Sequence, residues 1–192
     1  MHQRGKLASS RRRAAFHAAV VCMGLCAFAG GAGTARAQAE LPREERIKAV
    51  LVFKILKFVM WPSVALPAKE PLVICTTVDS AIGDALFAAE GRQIDGHPLQ
   101  QRRLSAMSAV DLKGCHVVYL PAAQRDWLGI ARALRGRPVL TVGDGPDFAR
   151  KGGVIGLVRG ENRVGFEISL KAAKEGGLDI GAPLLELANL VD

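Results

Sequence analysis

The sequence predicts an α/β fold, a three-layer sandwich whose sheet is mainly parallel and carries an antiparallel hairpin near the C-terminus. Three observations lead there. Short runs rich in β-branched residues, at 72–78, 116–120 and 139–142, alternate with segments of helical period. That alternation is the pattern of a parallel sheet covered on both faces. Two further apolar runs, 154–158 and 164–168, flank Arg159-Gly160-Glu161-Asn162, which reads as a hairpin. Finally, the chain of 192 residues leaves, after its first 37, a stretch of one-domain size that can bury a full core.

Those first 37 residues read as a cleavable export signal. Arg4, Lys6, Arg11, Arg12 and Arg13 make a basic start, residues 14–30 are almost wholly apolar, and Ala35-Arg36-Ala37 offers small side chains to a signal peptidase. The apolar stretch of ~17 residues is at the lower limit for a bilayer span. The glycine-rich end and the Ala-x-Ala site favour cleavage after Ala37 over a retained anchor. Arg11 to Arg13 followed by Phe16 faintly resembles a twin-arginine signal, but Phe16 is displaced, which favours the general secretion route. Neither Cys22 nor Cys26 follows a small residue, as a lipoprotein would need. The expected address is the periplasm, and no later stretch is apolar enough to insert in the membrane.

Removing the leader changes the charge argument. The full chain has 26 Lys+Arg against 18 Asp+Glu, a net +8. The leader holds six of the basic residues and no acidic one, so 20 against 18, or +2, is left, interleaved in sign. A nucleic-acid partner needs a concentrated basic surface and is excluded on that ground.

Along residues 38–192, Pro42 followed by Arg43-Glu44-Glu45 reads as a helix start, with acid at the positive dipole end. The helix is expected to run to about Met60. Ile47, Val50, Leu51, Ile55 and Phe58 recur at helical spacing, Lys48, Lys54 and Lys57 lie elsewhere on the wheel, and Trp61-Pro62 ends it. So apolar a helix either packs flat on the sheet or offers a dimer or partner surface, and the first reading is favoured. A buried strand over 72–78 and a helix over 80–89 follow, with Ile82, Leu86 and Phe87 as inward candidates. Asp95-Gly96 signals a turn, and 99–104 a polar, edge-like strand. The strand at 116–120, a helix at 123–134 and the strand at 139–142 continue the alternation. After the hairpin come a short helix, 169–175, stopped by Gly176-Gly177, and a last helix, 183–190, opened by proline.

The sequence offers no catalytic constellation. His97 and His116 lack ligand spacing, there is no Cys-x-x-Cys, and Cys115 with His116 would need further metal ligands. No Gly-x-Ser-x-Gly elbow occurs, and the serines at 63, 80, 105, 108 and 169 sit where capping is the common role. Neither a metal nor a cofactor is expected. Gly143-Asp144-Gly145-Pro146 lacks the third glycine of a phosphate loop, and Pro146 removes an amide. It reads as a turn at a strand end, a place that can border a ligand crevice.

Cys22 and Cys26 leave with the leader, so Cys75 and Cys115 remain, in an oxidising compartment and in neighbouring strands. A bridge would close about 41 residues and stabilise by on the order of 4 kcal/mol. Cys75 is mid-strand and Cys115 begins its strand, which strains the geometry of a bridge and would make it redox-labile. Two separate buried thiols are the alternative, and the compartment favours the bridge.

Five segments in order resemble the YfiR family of periplasmic regulators. They are Phe53-Lys54-Ile55-Leu56-Lys57-Phe58-Val59-Met60-Trp61-Pro62, Leu72-Val73-Ile74-Cys75, Gly114-Cys115-His116-Val117-Val118-Tyr119, Val139-Leu140-Thr141-Val142-Gly143-Asp144, and the tail from Gly152-Gly153-Val154-Ile155 through Val164-Gly165-Phe166-Glu167-Ile168-Ser169-Leu170 to Leu184-Leu185-Glu186-Leu187-Ala188. Ser169 stands where the family commonly has asparagine, and a second cysteine pair found in some members is missing. The resemblance implies a non-catalytic repressor, homodimeric, that holds the sensor region of an inner-membrane diguanylate cyclase inactive and lowers cyclic di-GMP and biofilm formation, under redox control. Cys75 and Cys115 are then the redox element. Trp61, Gly143, Asp144, Gly152, Gly153 and Phe166 are candidates for ligand or partner contact, with a core role the more common one for Trp61, Gly152, Gly153 and Phe166. A small-molecule sensor or carrier using the crevice near Gly143 and Asp144 is the rival reading, and an enzyme a distant third.

Overall fold

The computed structural model describes residues 42–160 and 164–191. The described residues fall in one compact unit, 40–192. The expected leader, and Glu161 and Asn162 of the expected hairpin turn, lie outside the described residues.

The order of elements is α1 (Arg43–Leu56), β1 (Val59–Met60), β2 (Leu72–Thr77), α2 (Ala81–Phe87), β3 (Gln93–Ile94), β4 (His97–Leu104), β5 (Val117–Leu120), α3 (Trp127–Ala133), β6 (Leu140–Gly143), β7 (Ile155–Arg159), β8 (Val164–Ser169), α4 (Leu170–Glu175), β9 (Asp179–Ile180), α5 (Ala182–Leu185) and β10 (Asn189–Val191). Eight strands form the main sheet in the order β10-β8-β7-β6-β5-β2-β4-β3. From β7 to β4 every neighbour is parallel, and β7–β8 is the antiparallel hairpin. The fold class is the one the alternation predicts.

Side-chain alternation builds two cores. In β5, Val117 and Tyr119 join one apolar cluster with α1, α2 and α4, whereas Val118 and Leu120 join another with α3, Cys75 and Cys115. Both faces of the sheet are therefore covered, which is why its central strands read as continuous apolar runs. Asp95 and Gly96 have φ of 49° and 82°, as a two-residue turn between β3 and β4 requires. Ser80 and Ser169 accept from the amides of Gly83 and Ala172 and so start α2 and α4. Serine thus does the capping that the family's asparagine would do.

Several elements differ from expectation. The first helix ends at Leu56, not Met60, because Val59 and Met60 pair with Ile180 and Asp179 in a separate antiparallel ribbon. Its inward face is also rotated. Lys48, Ala49, Val52, Phe53, Ile55 and Leu56 are buried, while Ile47, Val50 and Phe58 stay 44%, 55% and 38% exposed. Phe87 is exposed as well. The last helix stops at Leu185, and Asn189–Val191 becomes an edge strand parallel to β8. The strand expected over 99–104 pairs with β2 along Leu72–Thr77 on one side, and β3 covers only His97 and Pro98 on the other, so among the described residues its edge character holds.

Candidate functional site

From β2 the chain passes to β4 on one side, then crosses back to β5 on the other. Outside the carboxyl ends of strands where the order reverses in this way, open α/β sheets form a crevice. Here the crevice has a volume of about 500 Å³, and Thr77, Ser80, Ser105, Tyr119, Gln124 and Asp144 are among its lining residues. Asp144 follows directly on β6 and so stands at the crevice, as its strand-end position predicts.

Asp144 is held in a partly buried network. Lys48 Nζ lies 2.6 Å from Asp144 Oδ2, 3.0 Å from Glu45 Oε1 and 3.2 Å from Glu44 Oε1. The Ala122 amide donates to Asp144 Oδ1 at 2.7 Å. Burial works against the Lys48 charge, but the hydrogen bonds to Asp144, Glu45 and Glu44 outweigh it and raise the lysine above its ordinary value. Burial likewise opposes the Asp144 charge, and Lys48 with the Ala122 amide turns the balance, so the carboxyl titrates below its ordinary value. Tyr119 stands beside this pair, 1% exposed. Burial, then the Asp144 charge, keeps its phenol protonated. Asp144 is near enough to be felt, yet the hydroxyl closes no hydrogen bond of normal geometry.

On the opposite face, Cys75 and Cys115 form a disulfide with a Cα–Cα distance of 5.9 Å. Register pairs Cys75 with Val118, so the two cysteines are not ladder partners. A turn does the work: Gly114 at φ 79° and the Cys115 amide, bonded to Leu112 O, swing Cys115 back towards β2. Arg102 Nη2 donates to the carbonyls of Asp111 and Lys113 at 2.7 and 2.8 Å and lies 3.0 Å from Cys115 Sγ. Both cysteines are buried.

The remaining candidates stand at packing or turn positions. The Trp61 indole donates to His116 O at 3.3 Å. Phe166 is buried in the core. A Cβ on Gly143 or Gly153 would collide with the Phe148 ring, which stacks at 5.1 Å on Trp127. Gly152 has φ 113° and turns the chain into β7. Among the described residues no group of three or more His, Cys, Asp or Glu is placed to hold a metal ion.

With this arrangement in hand, comparison with known proteins is decisive in one respect. A family model described as YfiR/HmsC-like matches residues 45–189. The chain belongs to the YfiR/HmsC-like family. Among the described residues no helix is long and apolar enough to cross a membrane. A crystal structure of a conserved domain protein from Vibrio cholerae O1 biovar eltor str. N16961 is similar, at 14% identity and a TM-score of 0.48, over 77% of this chain and 60% of that one.

In this YfiR/HmsC-like domain the sequence reading missed Lys48, Tyr119 and Arg102. Glu44 and Glu45, four and three residues before Lys48, were the visible signal for a local ion pair. The deciding partner, Asp144, is 96 residues away. His116 was also unassigned, and it is a fastener. The Val73 amide donates to its Nδ1 at 3.0 Å, so its Nε2–H donates to Ala65 O at 3.1 Å, which fixes the neutral ring. Burial lowers its pKa below the ordinary 6.5. The neutral ring's contribution to stability is therefore full above pH 6.5 and is lost as pH falls from there through the folded value. Melting temperature measured from pH 8 to 5 is expected to fall more steeply for the wild type than for His116→Gln; parallel curves would contradict the assignment.

Proposed function

We propose that the exported chain is a periplasmic, non-catalytic regulator that binds the sensor region of an inner-membrane diguanylate cyclase and represses it, lowering cyclic di-GMP and biofilm formation. The match of the YfiR/HmsC-like family over residues 45–189 carries this reading. The leader at 1–37, cleaved after Ala37, supplies the address, and the Cys75–Cys115 bridge suits an oxidising compartment.

Redox responsiveness is part of the proposal. The bridge ties β2 to the segment that enters β5, and the Arg102 guanidinium at Cys115 Sγ favours a thiolate there once the bridge is reduced. Reduction then loosens the 105–116 segment. Homodimerisation is included too, with Leu190 in the edge strand β10 and Leu187 just before it, 49% and 77% exposed, as apolar surface for it.

A second reading, a carrier or sensor of a small molecule, draws on the crevice and the unpaired Tyr119 hydroxyl. One experiment separates the two. Deleting the gene is expected to raise cellular cyclic di-GMP if the chain is a repressor, and a carrier leaves the level unchanged.

A further inference from the structure

We infer that the groove between α1 and α2 is a docking site for an acidic amphipathic helix of a partner protein, and that it is the surface by which this chain grips the cyclase's sensor region. The inference rests on the function proposed above for the identity of the partner and on the groove itself for the contact.

The groove has a volume of about 470 Å³, within the range of sites that take a few large side chains. Its floor is apolar, with Val50, Ala85 and Phe53. Val50 is 55% exposed, although it stands between buried Ala49 and half-buried Leu51 on α1. The rim is cationic: Arg46, Lys54, Lys57 and Arg92 all line it. Lys57 Nζ and the Arg92 guanidinium stand 5.4 and 4.6 Å from the centre of the Phe53 ring. Asp84, the one acid of the lining among the described residues, is already paired with Arg103. Among the described residues Lys54, Lys57 and Arg92 take part in no salt bridge. Four cations therefore gather here on a chain whose net charge, the leader aside, is only +2.

Charge and shape select the occupant. A second copy docked groove to groove would set cations against cations, which like-charge repulsion opposes. A bilayer is flat and does not fill a concave groove. A helix whose apolar stripe is flanked by Asp or Glu satisfies floor and rim together, as helix-in-groove recognition does elsewhere. This also accounts for the rotated face of α1: Lys48 turns inward to Asp144, and Val50 and Lys54 are left to the groove.

The test uses the exported protein, with its disulfide intact, and the periplasmic sensor region of the same organism's inner-membrane diguanylate cyclase, with affinity measured by calorimetry at low and high salt. The triple variant Lys54→Glu/Lys57→Glu/Arg92→Glu and the single variant Val50→Glu are each expected to weaken binding by about 30-fold or more, and the triple variant to abolish its salt dependence. Lys171→Glu, exposed and away from the groove, is expected to bind as the wild type does. All the changed residues are exposed, and unchanged circular dichroism checks the fold. Wild-type affinity in the triple variant overturns the groove and leaves the functional reading standing. Failure of the wild type itself to bind overturns that reading and this assignment with it. Phosphatidylglycerol vesicles that bind the wild type and not the triple variant, with cyclase binding unaffected, overturn the protein partner in favour of a lipid surface.

Discussion

Replacing Asp144 with alanine is expected to lower the unfolding free energy by roughly 3 kcal/mol, the low end of what removing one partner of a buried ion pair costs. The low end applies because Lys48 keeps Glu44 and Glu45, both partly exposed, at 3.2 and 3.0 Å. Two groups are nevertheless stranded. Lys48 loses its closest and most buried partner, at 2.6 Å, and the Ala122 amide loses its acceptor at 2.7 Å. Asp144→Asn, which can still accept from that amide, is expected to cost less. Melting temperature follows the same order, with a fall of about 6–12 °C for the alanine variant, since a domain of this size loses about 2–4 °C per kcal/mol. The pH dependence has a definite sign. Because the Asp144 carboxyl titrates below its ordinary 3.8, its contribution is full above that value and is lost as pH falls through the folded one. An alanine variant within 0.5 kcal/mol of the wild type, a change typical of an unconstrained surface position, would remove the network from the account.

The second large effect concerns the bridge. Cysteines 40 apart in sequence close a loop worth about 4 kcal/mol in the chain-entropy model. Cys75→Ala/Cys115→Ala is expected to lose about that much, or roughly 8–16 °C in melting temperature. Cys75 and Cys115 are 0% and 4% exposed, so a reductant reaches them only through local opening. Maleimide is accordingly expected to give no adduct on the oxidised protein and two after reduction under denaturing conditions. Two adducts before reduction, or a double variant as stable as the wild type, would contradict both the bridge and its redox role.

How much of this was legible in the sequence depends on range. The parallel strands were visible because burial on both faces leaves near-continuous apolar runs, as at Leu72–Thr77 and Val117–Leu120. The hairpin was visible from its turn residues, and the starts of α2 and α4 from Ser80 and Ser169. Two-residue strands have no period to read, so Val59–Met60 was absorbed into the first helix. The tail at Asn189–Val191 became a strand only because β8 offered an unpaired edge. The face of α1 was misjudged for a physical reason. Hydrophobic period places a lysine outside, and here charges from Glu44, Glu45 and a residue across the fold made Lys48 an inside residue. Asp144 was legible as a strand-end residue, and the cysteine pair from the compartment. The cationic groove was not, since Arg92 joins Lys54 and Lys57 only once α2 packs on α1.

The central claim is repression of a cyclase by this chain, and cellular cyclic di-GMP tests it most directly. The level is to be measured in a deletion strain, in that strain carrying the full-length gene, and in that strain carrying a gene without codons 2–37. A raised level is expected in the deletion, restored by the full-length gene and not by the leaderless one. A deletion strain with an unchanged level, or full rescue by the leaderless gene, would contradict it.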